Sequence, residues 1–131
     1  AAAIADAPVG GEVWDSLSFE GTAAYAESAD RLTEVLTGPI PDRIEVYGYG
    51  RFGIETVLSM HIVDFVVHGW DVARSIGSDR VPDDELAGLA YEIMKRFPTD
   101  RPNKAFGLMV PIADDAPVVD RLMAYVGRDP S

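Results

Sequence analysis

The spacing of apolar residues along the chain predicts a mainly helical protein. From about Thr22 to Thr37, Tyr25, Ala29, Leu32 and Leu36 recur at i, i+4, i+7 and i+11, the stripe of an amphipathic helix. Gly38-Pro39 ends it: glycine suits the C′ position and proline cannot continue the helix. Residues 44 to 52 alternate, are rich in tyrosine and sit among Gly48, Gly50 and Gly53. They read as a short strand or extended loop leading irregularly into the next helix. A long central helix follows from about Ile54 to Ile76, closed by Gly77. Its expected core stripe is Ile54, Leu58, Phe65, Val72 and Ile76, while Val63, Val66, Val67 and Trp70 spread apolar surface around much of the rest.

A third helix is expected from about Asp83 to Phe97. Pro82 fits its first turn, Asp83, Asp84 and Glu85 suit the positive end of its dipole, and Leu86, Leu89, Ala90, Ile93 and Met94 form its core face. Thr99 to Lys104 reads as a polar loop and Phe106 to Ile112 as a short strand. Asp115-Ala116-Pro117 then opens a last helix, Val118 to Val126, closed by Gly127. Ala1 to Asp6 reads as the tail of an earlier helix, broken by Gly10-Gly11. No repeat, low-complexity linker or composition shift divides the 131 residues, so one domain, 1–131, is the simplest organisation.

The formal net charge of −11 repels phosphate backbones and anionic membrane surfaces, which argues against nucleic-acid and membrane partners. No apolar run approaches the roughly 20 residues that span a bilayer, and Ala1 to Pro8 lacks the basic lead of a secretory signal. The absence of cysteine rules out disulfides and any protein thiolate. It fits a cytoplasmic location. Any thiol chemistry would need a small-molecule cosubstrate.

Chemistry concentrates in His61-Ile62-Val63-Asp64-Phe65-Val66-Val67-His68-Gly69-Trp70-Asp71, which holds both histidines of the chain. Asp64 and His68 are four apart on a helix and share a face, so the pair can chelate one metal ion. The bland alternative is an Asp64–His68 ion pair, or Asp64 capping a neighbouring helix. The His-Glu-x-x-His pattern of zincins is absent. His61 lies about 10 Å along the axis from His68, awkward for sharing an ion. It is a candidate proton donor or substrate contact, or else a buried, hydrogen-bonded histidine. Asp71, one turn beyond His68, either orients the metal ligands or makes an ordinary polar contact. Trp70 reads as core, with substrate stacking as the alternative. All four polar residues lie along one edge of the expected stripe, so they are expected to face the interior or a pocket. Tyr47, Tyr49 and Arg51 read as a solvated loop, with a pocket rim as the alternative. No glycine cluster forms a phosphate cradle.

The string Val63-Asp64-Phe65-Val66-Val67-His68-Gly69-Trp70-Asp71-Val72-Ala73-Arg74-Ser75-Ile76-Gly77 resembles the D-x-x-x-H-G-W-D-L-A-R-A-x-G pattern of DinB-like proteins related to the N-terminal domain of mycothiol-dependent maleylpyruvate isomerase. The ending from Asp115 to Pro130, with Phe106 to Ile112 before it, is similar to the usual end of one uncharacterised branch. The likeness covers most of the chain from about Ala23. It implies a DinB-like four-helix bundle with a divalent metal, often zinc, in its core, and places the family's carboxylate-x-x-x-His pair on Asp64 and His68. Characterised relatives use a low-molecular-weight thiol such as mycothiol, whose pKa the metal lowers and whose thiolate attacks an electrophile. In the isomerase, attack on maleylpyruvate permits cis–trans isomerisation.

The family's other metal histidine lies on a helix N-terminal to everything in this sequence, which implies that about two N-terminal helices of a family member are missing and that the chain is its C-terminal two-thirds. The expected partners are therefore a small electrophile, a thiol, and either a second copy of the chain or the missing N-terminal segment. The expected function is metal-dependent, thiol-using transfer or isomerisation. In that reading Asp64 and His68 hold zinc, Asp71 orients them and His61 handles protons. The rival is a non-catalytic small-ligand-binding or dimerisation domain that kept the fold and lost the complete metal site.

Overall fold

The computed structural model describes residues 21–46, 48–97 and 106–131. The expectations for Ala1 to Asp6, Gly10-Gly11, Tyr47 and Thr99 to Lys104 lie outside the described residues. The rest is mainly helical with a small sheet: α1 (Gly21–Thr37), β1 (Arg43–Val46), β2 (Gly50–Gly53), α2 (Ile54–Ser75), α3 (Asp84–Met94) and α4 (Val118–Tyr125). The chain packs as two compact units, Ala1–Val57 and Leu58–Ser131. No helix among the described residues is long and apolar enough to cross a membrane.

In the first unit the alternating segment is an antiparallel hairpin, with Ile44 opposite Phe52, Glu45 opposite Arg51 and Val46 opposite Gly50. The period of two puts Ile44 and Val46 on one face and the charged Arg43 and Glu45 on the other. Gly48 (φ 78°), between the strands, and Gly50 (φ 94°), the first residue of β2, take left-handed conformations that turn the chain back. Ile44 and Val57, the latter from the first turn of α2, form a small core with Leu32, Val35, Val46, Phe52 and Ile54 against them. Only part of the expected α1 stripe is used. Leu32 packs, but Tyr25 and Leu36 are exposed and Val35 takes the inward position. Gly38 is not a left-handed cap. A tight Gly38 N–H to Val35 carbonyl bond (3.2 Å) ends the helix before Pro39.

The second unit holds the larger core. Val63, Val66, Val67 and Trp70 of α2 meet Ala87, Ala90, Ile93 and Met94 of α3 and Val119, Leu122 and Met123 of α4. Tyr91 packs edge-on against Tyr125, with ring centroids 5.6 Å apart. Asp83 caps α3, accepting from the N–H of Glu85 at 2.9 Å and of Leu86 at 3.3 Å. The core face of α3 is rotated from the expected one: Ala87 is buried, whereas Leu86 and Leu89 are exposed. The strand expected over Phe106 to Ile112 does not form among the described residues; instead the Val110 N–H donates to the Ala124 carbonyl at 2.9 Å.

The α2 and α4 stops are the expected ones, and they are the same motif. After α2, Ser78 N–H reaches the Ala73 carbonyl (2.9 Å) and Gly77 N–H the Arg74 carbonyl (3.2 Å). After α4, Arg128 N–H reaches Met123 (2.9 Å) and Gly127 N–H reaches Ala124 (3.1 Å). Each requires a left-handed glycine, Gly77 at φ 67° and Gly127 at φ 85°. Gly127 is doubly constrained, since a Cβ there would lie 2.4 Å from the Gly107 Cα.

The central helix departs most from expectation. Phe65, Val72 and Ile76 of the expected core stripe are 53%, 60% and 73% exposed. The valine–tryptophan side is buried instead. Both sides of α2 are apolar, so periodicity alone gives no basis for choosing between them. The side carrying compact β-branched Val63, Val66 and Val67 beside Trp70 is the one that packs against α3 and α4.

Candidate functional site

The reversal of α2 moves the polar residues outward. Asp64 and His68 are exposed, and His61 and Asp71 are half-buried, so none of the four is enclosed in the interior, one of the two settings expected for them. The helix still holds Asp64 and His68 one turn apart on one face. They do not pair with each other. Asp64 is exposed and has no hydrogen-bonding or ionic partner among the described residues. His61 stacks loosely near Phe65, with ring centroids 6.3 Å apart and the planes tilted by 35°.

His68 and Asp71 are brought together. His68 Nδ1 lies 3.2 Å from Asp71 Oδ2. Asp71 in turn accepts two bonds from Arg128, from Nε to Oδ1 at 3.2 Å and from Nη2 to Oδ2 at 2.9 Å. This fork-on-fork pairing is the stronger form of an arginine–carboxylate contact. Arg128 is anchored at its other end, donating from Nη1 to the Val126 carbonyl at 3.0 Å. The Arg128 hydrogen bond is the main cause that holds the Asp71 carboxyl below its ordinary value of 3.8. Partial burial opposes it, and the Arg128 charge and His68 add to it.

An ionised Asp71 can only accept a hydrogen bond, so Nδ1 of His68 carries the proton. In the neutral ring this leaves the Nε2 lone pair available as a ligand. A carboxylate behind an imidazole is the usual support of a metal-binding histidine. The donor set therefore fits two ligands of a divalent ion, Asp64 and His68, with Asp71 behind the histidine. It fits no more than two: no group of three or more His, Asp or Glu side chains able to hold a metal occurs among the described residues.

Arg128 is the site residue that helical periodicity does not reveal. It follows the cap glycine of α4 and stands 57 positions from Asp71. The only sequence signal is a cation directly after a left-handed glycine, where the turn redirects the chain. Trp70 is core, 8% exposed, with the Arg74 guanidinium 5.3 Å above its ring. Tyr49 and Arg51 are exposed in the first unit, and Tyr47 is not among the described residues. A shallow depression on α1, lined by Glu27, Asp30, Arg31 and Glu34, is formed by one exposed helix surface and encloses nothing.

Comparison with protein-family models, with curated proteins and with solved structures yields no match.

Proposed function

We propose that this protein is a metal-dependent, thiol-using transferase or isomerase of the DinB-like, mycothiol-associated kind, acting on a small electrophile. Asp64 and His68 hold the metal, and zinc suits an oxygen–nitrogen donor set. The single observation that carries the reading is the His68–Asp71–Arg128 relay, which fixes the imidazole tautomer with Nε2 free. A divalent ion at this pair supplies Lewis-acid charge that lowers the pKa of a bound thiol. Because the chain contains no cysteine, the thiol comes from a cosubstrate. Asp71 orients His68, Arg128 keeps Asp71 ionised and in place, and His61, half-buried seven residues before His68, holds or releases a proton on the electrophile.

The test is elemental analysis of protein purified without added metal, alongside the Asp64→Ala and His68→Ala variants. Near-stoichiometric zinc in the parent and its loss from both variants is the expected result. A thiol-transfer screen with small electrophiles then follows. Metal-free protein that takes up no zinc would overturn the reading.

One observation favours a second reading, a non-catalytic interaction domain. Phe65, Val72 and Ile76 give α2 an exposed apolar face beside the Asp64–His68 pair. A chain that binds no metal yet still associates through this face would select it.

A further inference from the structure

An arginine–carboxylate pair held only by its own two side chains on a solvated helix contributes little and keeps no fixed geometry. Arg128 is better covered than that: its side chain is 20% exposed, against 34% for Asp71. Phe106 lies against it. The guanidinium carbon stands 5.9 Å from the centre of the phenyl ring, within the range of a cation–π contact. The residue after Phe106 brings it there. Gly107 meets Gly127 backbone to backbone: a Cβ built on Gly107 would lie 3.1 Å from the Gly127 carbonyl oxygen, and one on Gly127 would lie 2.4 Å from the Gly107 Cα. Phe106 precedes one glycine and Arg128 follows the other, so the crossing sets ring beside guanidinium. The Val110 N–H, bonded to the Ala124 carbonyl at 2.9 Å, fastens the same segment to the end of α4 at a second point.

We propose that Phe106 is a positioning residue of the site. Its ring, held by the Gly107–Gly127 crossing, keeps the Arg128 guanidinium where it clasps Asp71, and Asp71 in turn keeps the proton of His68 on Nδ1. The inference rests on the relay reading above and deepens it by naming what holds the far end of the relay. Arg128 spends the edges of its guanidinium on hydrogen bonds, Nε and Nη2 on Asp71 and Nη1 on the Val126 carbonyl. The flat faces of a guanidinium carry no donor, and an aromatic ring covers such a face without offering an acceptor that competes with Asp71. Phe106 acts through Arg128, not on the metal or the electrophile. Without the ring, Arg128 is free to turn toward water and the two-bond clasp on Asp71 loosens. The proton of His68 is then free to move from Nδ1 to Nε2, the atom a metal needs bare.

The test is long-range proton–nitrogen NMR of the imidazole rings in the zinc-free 131-residue chain, at alkaline pH where an imidazole is neutral. His61, the other histidine, serves as the internal reference. In the parent the His68 proton is expected on Nδ1. Phe106→Leu keeps apolar bulk and removes the ring face. It should move the His68 nitrogen shifts toward the Nε2–H tautomer and leave those of His61 in place, with helical content by circular dichroism unchanged. Phe106→Tyr, which keeps the ring, should restore the parent spectrum. Gly107→Ala should repeat the Phe106→Leu result by pushing the segment off the end of α4. Titrated with zinc, Arg128→Ala should weaken binding about tenfold and Phe106→Leu about threefold. His68 shifts that move in Arg128→Ala but in neither Phe106→Leu nor Gly107→Ala would overturn the positioning role and leave the relay standing. A parent His68 with its proton on Nε2 would overturn both. The expected tautomer shifts in a chain that takes up no zinc would bear out the positioning role and overturn only the metal reading.

Discussion

The two sides of α2 are nearly equal in apolar content and opposite in fate. One side, Val63, Val66, Val67 and Trp70, is closed against α3 and α4. The other, Phe65, Val72 and Ile76, stays open, with Gly69 as a gap among them. The difference shows what decides burial in a helix that is apolar all round. Hydrophobicity admits both sides, and shape and available partners choose between them. It also explains why the polar pair is accessible: Asp64 and His68 flank the side that the described residues leave exposed.

The largest effect that sharpens this contrast is expected at Trp70. Trp70→Ala removes a ring from a closed core and should cost about 3–5 kcal/mol. The check is urea unfolding followed by tyrosine fluorescence or circular dichroism. A loss below about 1 kcal/mol, the size typical of surface changes, would show that the closed side is not the core.

The Asp71–Arg128 clasp comes next. Asp71→Asn removes the ionic acceptor of Arg128 and His68 and should cost about 1 kcal/mol, since the pair is partly solvated. The pH dependence has a definite sign. Asp71 is held below its ordinary value of 3.8 in the folded protein. Its contribution to stability is therefore complete above that ordinary value and is lost as pH falls through the lower folded value. The gap between parent and Asn variant should be constant at neutral pH and close in acid. A gap that widens in acid would contradict the assignment.

What was legible in the sequence divides along similar lines. Stops written in local chemistry were readable: Gly77 and Gly127 close their helices as left-handed caps, and Asp83 begins α3. The Asp64–His68 pair was readable because helical spacing is local. The buried side of α2, the rotated face of α3 and the choice of Val35 over Leu36 depend on which surfaces meet, and periodicity does not carry that. The Asp71–Arg128 clasp joins residues 57 positions apart, and only the fold brings them together.

A smaller effect, of opposite sign, is expected at Gly69. Gly69→Ala fills no space that the described residues use and removes backbone freedom from the unfolded state. In metal-free, dilute protein it should raise stability by about 0.5–1 kcal/mol, read from the urea midpoint. A loss of stability would mean that the gap at Gly69 already receives part of this same chain.

The smallest effect on stability belongs to Phe65, and it tests the open side most directly. An aromatic ring that is 53% exposed has little buried area to lose. In metal-free, dilute protein, Phe65→Ser should change unfolding free energy by no more than about 0.5 kcal/mol. The comparison with Trp70→Ala separates the two sides of the helix: a residue of the closed side costs stability, while a residue of the exposed side does not. If Phe65→Ser proved as costly as Trp70→Ala in the isolated chain, the open side would be part of the core and the accessibility of Asp64 and His68 would fall with it.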